Sequence, residues 1–211
     1  MNADFNSMLP GRHERAVFVG MTGCGKTTLS YYIIYAYTHK IKNPYVVCYD
    51  PNESLKDWKG YAIYTRLSDV VKSKQEKIIY RPNINELDDP EAWDQFFKFV
   101  YLRKNTTLYV DEVYACTDNQ EIPFYFKACL TRGRGRGIST FSSTQRPKAI
   151  PTTVMSEAEN KYIFYLQMDA DRKRVYECTG ITPDTIRALP KRNFIYANLD
   201  RVTKPMTLKL G

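Results

Sequence analysis

Gly20-Met-Thr-Gly-Cys-Gly-Lys26-Thr27 is the stretch that decides the fold of this chain. It fits the phosphate-binding pattern G-x-x-x-x-G-K-[ST], with Gly20, Gly25, Lys26 and Thr27 at the fixed places. An apolar run at 16–19 precedes it and a helix-compatible run at 28–35 follows, so it reads as strand, loop, helix. Triphosphate oxygens need several backbone N–H groups converging on them, and glycine lets the chain curl that closely. Gly20, Thr22, Gly23, Cys24, Gly25, Lys26, Thr27 and Thr28 are therefore the expected phosphate-binding residues. Lys26 adds a point charge at the outer phosphates, and the Thr27 hydroxyl is the expected Mg²⁺ ligand.

Working outward, residues 106–112 read as an apolar strand ending in Asp111 and Glu112. An Asp at such a strand end holds Mg²⁺ in phosphate-loop NTPases, and an adjacent Glu is placed to act as general base on water. Taken alone, the pair is as readily a solvated strand end; the phosphate loop is what turns it into a metal-and-base site. Residues 139–145 read as a further central strand with Gln145 at its end. If that strand adjoins both others, the Gln145 amide meets the γ-phosphate or the attacking water. The plainer reading is a capping Gln before Arg146-Pro147. Asp50 ends another strand and its role is open. Between these lies Leu130-Thr-Arg132-Gly-Arg134-Gly-Arg136-Gly137, expected to be a flexible basic loop. Three readings compete for its arginines: a finger entering a neighbour's site, a contact to nucleic-acid phosphates, or a solvated loop.

The charge supports a polyanionic partner. Net charge is +8 over 211 residues. Residues 131–211 hold 15 Lys/Arg against 7 Asp/Glu, whereas residues 1–130 hold 16 of each, so the whole surplus is in the last part of the chain. Five cysteines without a C-x-x-C pair argue against a disulfide framework or a zinc site. Buried small residues are the expectation for them, with Cys24, inside the loop, the one placed to be oxidation-sensitive. No run approaches the roughly 20 apolar residues of a membrane span, and 1–6 lack a signal-like core; a soluble, cytosolic protein is expected.

Strands expected at 16–19, 45–49, 78–80, 107–110, 139–143 and 163–168 alternate with helices at 27–38, 90–103, 123–130 and 183–189. That alternation predicts an α/β fold, a mainly parallel central sheet flanked by helices. Residues 193–199 and 206–210 suggest a C-terminal β hairpin turning at 200–205. One domain over 1–211 is expected, with its core at about 15–175 and a basic extension at about 176–211.

These features together resemble the FtsK/HerA superfamily of ring-forming nucleic-acid-pumping ATPases, most of all the genome-packaging ATPases of membrane-containing icosahedral viruses. The resemblance rests on residues 20–27, Tyr49-Asp50-Pro51, Val110-Asp111-Glu112, residues 132–137 and Ser143-Thr144-Gln145-Arg146-Pro147 followed by Ile150-Pro151. It implies a RecA-like (ASCE) phosphate-loop fold binding ATP and Mg²⁺, with metal ligands Thr27 and Asp111. By the same likeness Glu112 activates water, Gln145 is the sensor, and one of Arg132, Arg134 and Arg136 acts in trans. It further implies a homo-oligomeric ring, a pentamer or hexamer, that moves double-stranded DNA into a preformed capsid. The expected locations are the host cytoplasm and the virion packaging vertex, with capsid or vertex proteins as partners. Rival readings are a filamentous-phage assembly ATPase of the zonula-occludens-toxin type, which usually continues into a membrane segment, a nucleotide-dependent switch with little chemistry, and a small-molecule kinase.

Overall fold

The computed structural model describes residues 3–56, 58–118 and 121–208. The elements in chain order are α1 (Ala3–Asn6), β1 (Ala16–Val19), α2 (Lys26–Ile41), β2 (Tyr45–Tyr49), β3 (Ala62–Tyr64), α3 (Leu67–Lys72), β4 (Lys77–Tyr80), α4 (Ile84–Leu87), α5 (Pro90–Arg103) and β5 (Thr106–Val110). They continue with α6 (Phe124–Arg132), β6 (Ser139–Thr144), α7 (Thr152–Ser156), β7 (Asn160–Phe164), α8 (Asp169–Thr179), α9 (Pro183–Arg187), β8 (Asn193–Ala197) and β9 (Met206–Thr207).

Among the described residues the strands form one sheet in the order β3-β4-β2-β5-β6-β1-β7-β8-β9. Every pairing from β3 to β7 is parallel, and β8 and β9 add antiparallel at one edge. The central strands are short apolar runs buried along their length, as a sheet covered on both faces requires. Alternate side chains feed two cores. Val17, Val47, Leu108 and Ile163 pack with Trp93, Phe96 and Phe97 of α5 and Phe126 of α6. Phe18, Cys48, Tyr109, Phe141 and Tyr162 pack on the other side with Leu29, Ile33 and Tyr37 of α2 and with Trp58. Trp58 stacks on Tyr109 with ring centroids 5.2 Å apart.

Local chemistry sets the ends of the helices that matter here. Asp89 caps α5 by accepting from the Glu91 N–H at 2.9 Å, and Pro90 fills the first helical position, where no N–H is needed. α2 begins at Gly25 in a left-handed conformation and ends at Lys42, also left-handed.

The expected α/β class, the parallel sheet and the C-terminal hairpin are all present, though residues 209–210 of the expected hairpin strand lie outside the described part. Two expectations need correcting. The strand expected at 163–168 is instead Asn160–Phe164, three residues earlier. Its pairing stops there because the carbonyl of Tyr165 accepts from the N–H of Met21 at 3.1 Å, in the phosphate loop rather than in a strand. Residues 134–136 form a 3-10 turn instead of a flexible loop, closed by Arg136 N–H to Gly133 O at 2.8 Å. Within the expected basic extension, β8 pairs with β7 across four residues and β9 pairs with β8.

Candidate active site

The site lies along the edge of the sheet where the parallel strands end. β1 runs into the phosphate loop, β5 into Asp111 and Glu112, and β6 into Gln145. Because β6 sits between β1 and β5, all three strand ends open on one cleft, as ligand sites do in open α/β sheets. The cleft holds about 240 Å³ and is lined by loop residues 22–28 except Cys24, and by Asp111, Glu112, Ser143 and Gln145.

Two glycines explain the loop's closeness to its surroundings. A Cβ on Gly20 would meet the Cβ of Phe164 at 2.5 Å, and one on Gly25, at φ +108°, would meet Leu208 Cδ2 at 2.9 Å. Lys26 is buried, its Nζ donating to the carbonyls of Gly20 (2.6 Å) and Met21 (3.1 Å). The ammonium is thereby held against the loop's own backbone.

The acid pair is fixed by hydroxyls. Asp111 Oδ1 accepts from Tyr109 Oη and from Ser143 Oγ, both at 2.8 Å. Both bonds fall on one oxygen, so Oδ2 is the one left to meet a cation. Among the described residues no group of three or more His, Cys, Asp or Glu clusters to hold a metal unaided. Asp111 and Thr27, which line the same cleft, fit a Mg²⁺ whose remaining ligands are phosphate oxygens and water.

Glu112 has a left-handed backbone (φ 61°, ψ 80°), costly by about 1–2 kcal/mol for a residue with a Cβ. Its N–H donates to Ser143 Oγ at 3.2 Å. The carboxylate accepts from Thr144 Oγ1 at 2.8 Å and from the Gln145 N–H at 3.1 Å. Burial pushes the Glu112 carboxyl above its usual range, opposed by the Thr144 hydrogen bond and the Lys26 charge. A carboxylate kept basic beside a lysine suits proton abstraction from water. Gln145 in turn accepts from Thr22 Oγ1 at 2.5 Å, so strand end and phosphate loop are joined directly.

Asp50, whose role the sequence left open, holds up the neighbouring loop. Fully buried, it accepts from Ser54 N–H at 2.7 Å and pairs with Arg81 Nε at 2.9 Å. This places Asn52 and Ser54 in the cleft lining. Burial raises the Asp50 carboxyl and the Arg81 contact counters it. Cys24 is buried, as expected of the cysteines, and its thiol is pushed up by desolvation, against the Lys26 charge, which makes it a poor thiolate.

The three arginines are not in the cleft. They precede β6, whereas Gln145 follows it, so they stand at the opposite edge of the sheet. Arg134 reaches Glu159 at 3.0 Å, a carboxylate shared with Arg15, and Arg136 donates from Nε to the Tyr101 carbonyl at 2.8 Å, its guanidinium 4.3 Å over the Tyr101 ring. Arg132, at the end of α6, is exposed.

Sequence reasoning missed Arg192 and Leu208, which close the cleft from the C-terminal strands. No spacing marks them; only the topology brings residues 192 and 208 to the loop. It also missed Ser143 as the hydroxyl bridging Asp111 and Glu112.

No family model matches the chain. By sequence it is 28% identical over 203 residues to the DNA packaging ATPase P9 of Enterobacteria phage PRD1, spanning 89% of this chain and 83% of that protein. By structure it superposes on the genome packaging NTPase B204 of Sulfolobus turreted icosahedral virus 2, solved with AMPPCP, at a TM-score of 0.72 and 18% identity, covering 93% of this chain and all of the other. This is the fold of the viral genome-packaging NTPases. The bacterial conjugative coupling protein TrwBdeltaN70 shares it more distantly, with a TM-score of 0.65 and 11% identity over 92% of this chain and 84% of that one. The B204 superposition covers 93% of the chain.

Proposed function

We propose that this chain is an ATP-hydrolysing DNA translocase that packages a double-stranded viral genome into a preformed capsid. The observation that carries the hydrolysis is Glu112, its carboxylate fixed by Thr144 and Gln145 in the same cleft as Lys26 and Asp111. Lys26 and the loop amides of residues 20–28 bind the phosphates. Thr27 and Asp111 would hold a Mg²⁺, whose charge would be set against that of the phosphates. Glu112 takes the proton of the attacking water, and Gln145 positions that water or the γ-phosphate.

The cargo rests on the sequence likeness to P9 of phage PRD1 and on the basic surplus in residues 131–211. On this reading the unit acts as a ring, which is supported by Arg132, Arg134 and Arg136 standing away from the chain's own cleft. One of them completes a neighbour's site while the others contact DNA phosphates. A single domain over residues 1–211 carries these parts, working in the host cytoplasm and at the packaging vertex with capsid proteins. Among the described residues no helix is long and apolar enough to cross a membrane.

The test is ATPase rate with and without double-stranded DNA, measured together with the mass of the assembled species. A multimer stimulated by DNA is the expected result. An unstimulated monomer would replace the motor with a nucleotide switch.

A further inference from the structure

The C-terminal strands reach the phosphate loop from two sides. Lys191 lines a shallow hollow beside Met21, Thr22, Gly23 and Cys24, while Arg192 lines the main cleft with Gly25, Lys26, Thr27 and Thr28. Two consecutive cations therefore straddle a loop built to hold an anion. Arg192 has a left-handed backbone, φ 65°, which a residue with a Cβ adopts only at a cost in energy. That conformation is held by its own carbonyl, which accepts from the Leu208 N–H at 2.9 Å. Leu208 itself lies against Gly25. The backbone of Arg192 is thus tied to Leu208, the residue that follows β9, and Leu208 lies against the glycine that leads into α2. Its side chain is exposed, and among the described residues it forms no ion pair. An uncompensated guanidinium on the wall of a phosphate cleft is suited to phosphate oxygens, which its planar fork meets two at a time.

We infer that Arg192 binds the nucleotide's phosphates within its own subunit, and that bound nucleotide in this way fastens β9 onto the phosphate loop. The inference rests on the ATPase reading and adds to it a cis-acting arginine, separate from the trans-acting group among residues 132–136. It also gives the C-terminal strands a role at the nucleotide as well as in the sheet. Nucleotide loss then loosens the Arg192–Leu208 clasp, and with it the surface that β9 presents.

The experiment measures binding of fluorescent ATP and ADP analogues to the full chain and to Arg192→Ala, Arg192→Gly and Arg192→Lys. Glycine suits the positive φ, so Arg192→Gly removes the guanidinium while leaving the backbone at ease. Affinity is expected to fall about tenfold or more in Arg192→Ala and Arg192→Gly, with Arg192→Lys between them and the wild type. Hydrogen exchange at the Leu208 amide supplies the second readout: nucleotide should slow it in the wild type and not in Arg192→Gly. Affinities within twofold of wild type in Arg192→Gly, or Leu208 exchange indifferent to nucleotide in the wild type, would overturn the inference. A wild type that binds neither analogue would overturn the ATPase reading itself, a result distinct from both.

Discussion

Glu112 shows how a single residue carries both strain and chemistry. Its left-handed backbone, its buried carboxylate and its bonds to Thr144 and Gln145 all serve one geometry. Glutamine keeps that shape and the Thr144 bond at Oε1; it gives up the 3.1 Å acceptor for the Gln145 N–H, offset by there being no charge to bury. Glu112→Gln is therefore expected to melt no lower than the wild type and to bind ATP normally, while single-turnover hydrolysis falls about a hundredfold or more. Loss of ATP binding in that variant would make Glu112 a structural residue instead. At this scale the sequence was most informative where residues act through a local pattern. The run from Gly20 to Thr27 is contiguous, and Asp111 and Glu112 sit at the end of a recognisable strand, so their candidacy was readable. Ser143 and Arg192 were not, because neither belongs to a local pattern. A serine inside a strand looks like any polar interruption until it is found between Asp111 and Glu112.

The elements around the site are joined by side chains from outside it. Arg146 and Lys148, just beyond Gln145, are both tied to Asp171 of α8: Arg146 Nε at 3.1 Å and the Lys148 N–H at 2.9 Å. Asp171 is almost wholly buried, so it acts as the peg that sets the turn after β6 and thereby the aim of Gln145. Asp171→Ala is expected to lower kcat about tenfold or more with little change in KM, because phosphate binding through Lys26 is untouched while Gln145 loses its footing. Asp171→Asn, which retains one acceptor, should recover part of the rate. Equal loss of kcat and of thermal stability in both variants, with no recovery, would assign Asp171 to folding alone. Helix α8 is also where element reading failed. Its sequence, Asp169-Ala-Asp-Arg-Lys-Arg-Val-Tyr-Glu-Cys-Thr179, has almost no apolar stripe, and its buried members include Asp171 and Arg172. Arg172 is buried because its guanidinium donates to the Leu166 carbonyl at 2.8 Å. Hydrophobic periodicity is blind to a helix held by buried hydrogen bonds. The three-residue edge strand β3 escaped for a different reason: it is too short to show a period.

For the whole molecule, the placement of the arginine turn bears on the proposed ring. It stands at the edge of the sheet away from the cleft, so under the ring reading an arginine of residues 132–136 that acts at a γ-phosphate does so in another copy. Subunits carrying Arg132→Ala mixed with Lys26→Ala subunits are expected to regain a measurable fraction of wild-type ATPase, since each copy supplies what its neighbour lacks. An inactive mixture would leave Arg132 to contact DNA. The parallel sheet was readable in the alternation of short apolar runs with helices. The strand order was not, because a sequence states which strands exist and not which lie side by side. That order has a consequence for how the protein is made. β2, β3, β4 and β5 can pair among themselves once about half the chain has been synthesised, yet β1, made first, has no partner among them. It must wait unpaired until β6 emerges more than a hundred residues later and fits between β1 and β5. A nascent chain therefore carries its most recognisable motif long before that motif has a site to belong to. Nucleotide can find a complete cleft only after the last of the three central strands closes the gap, which puts ligand binding at the end of folding and ties it to the slow, non-local pairing of a parallel sheet.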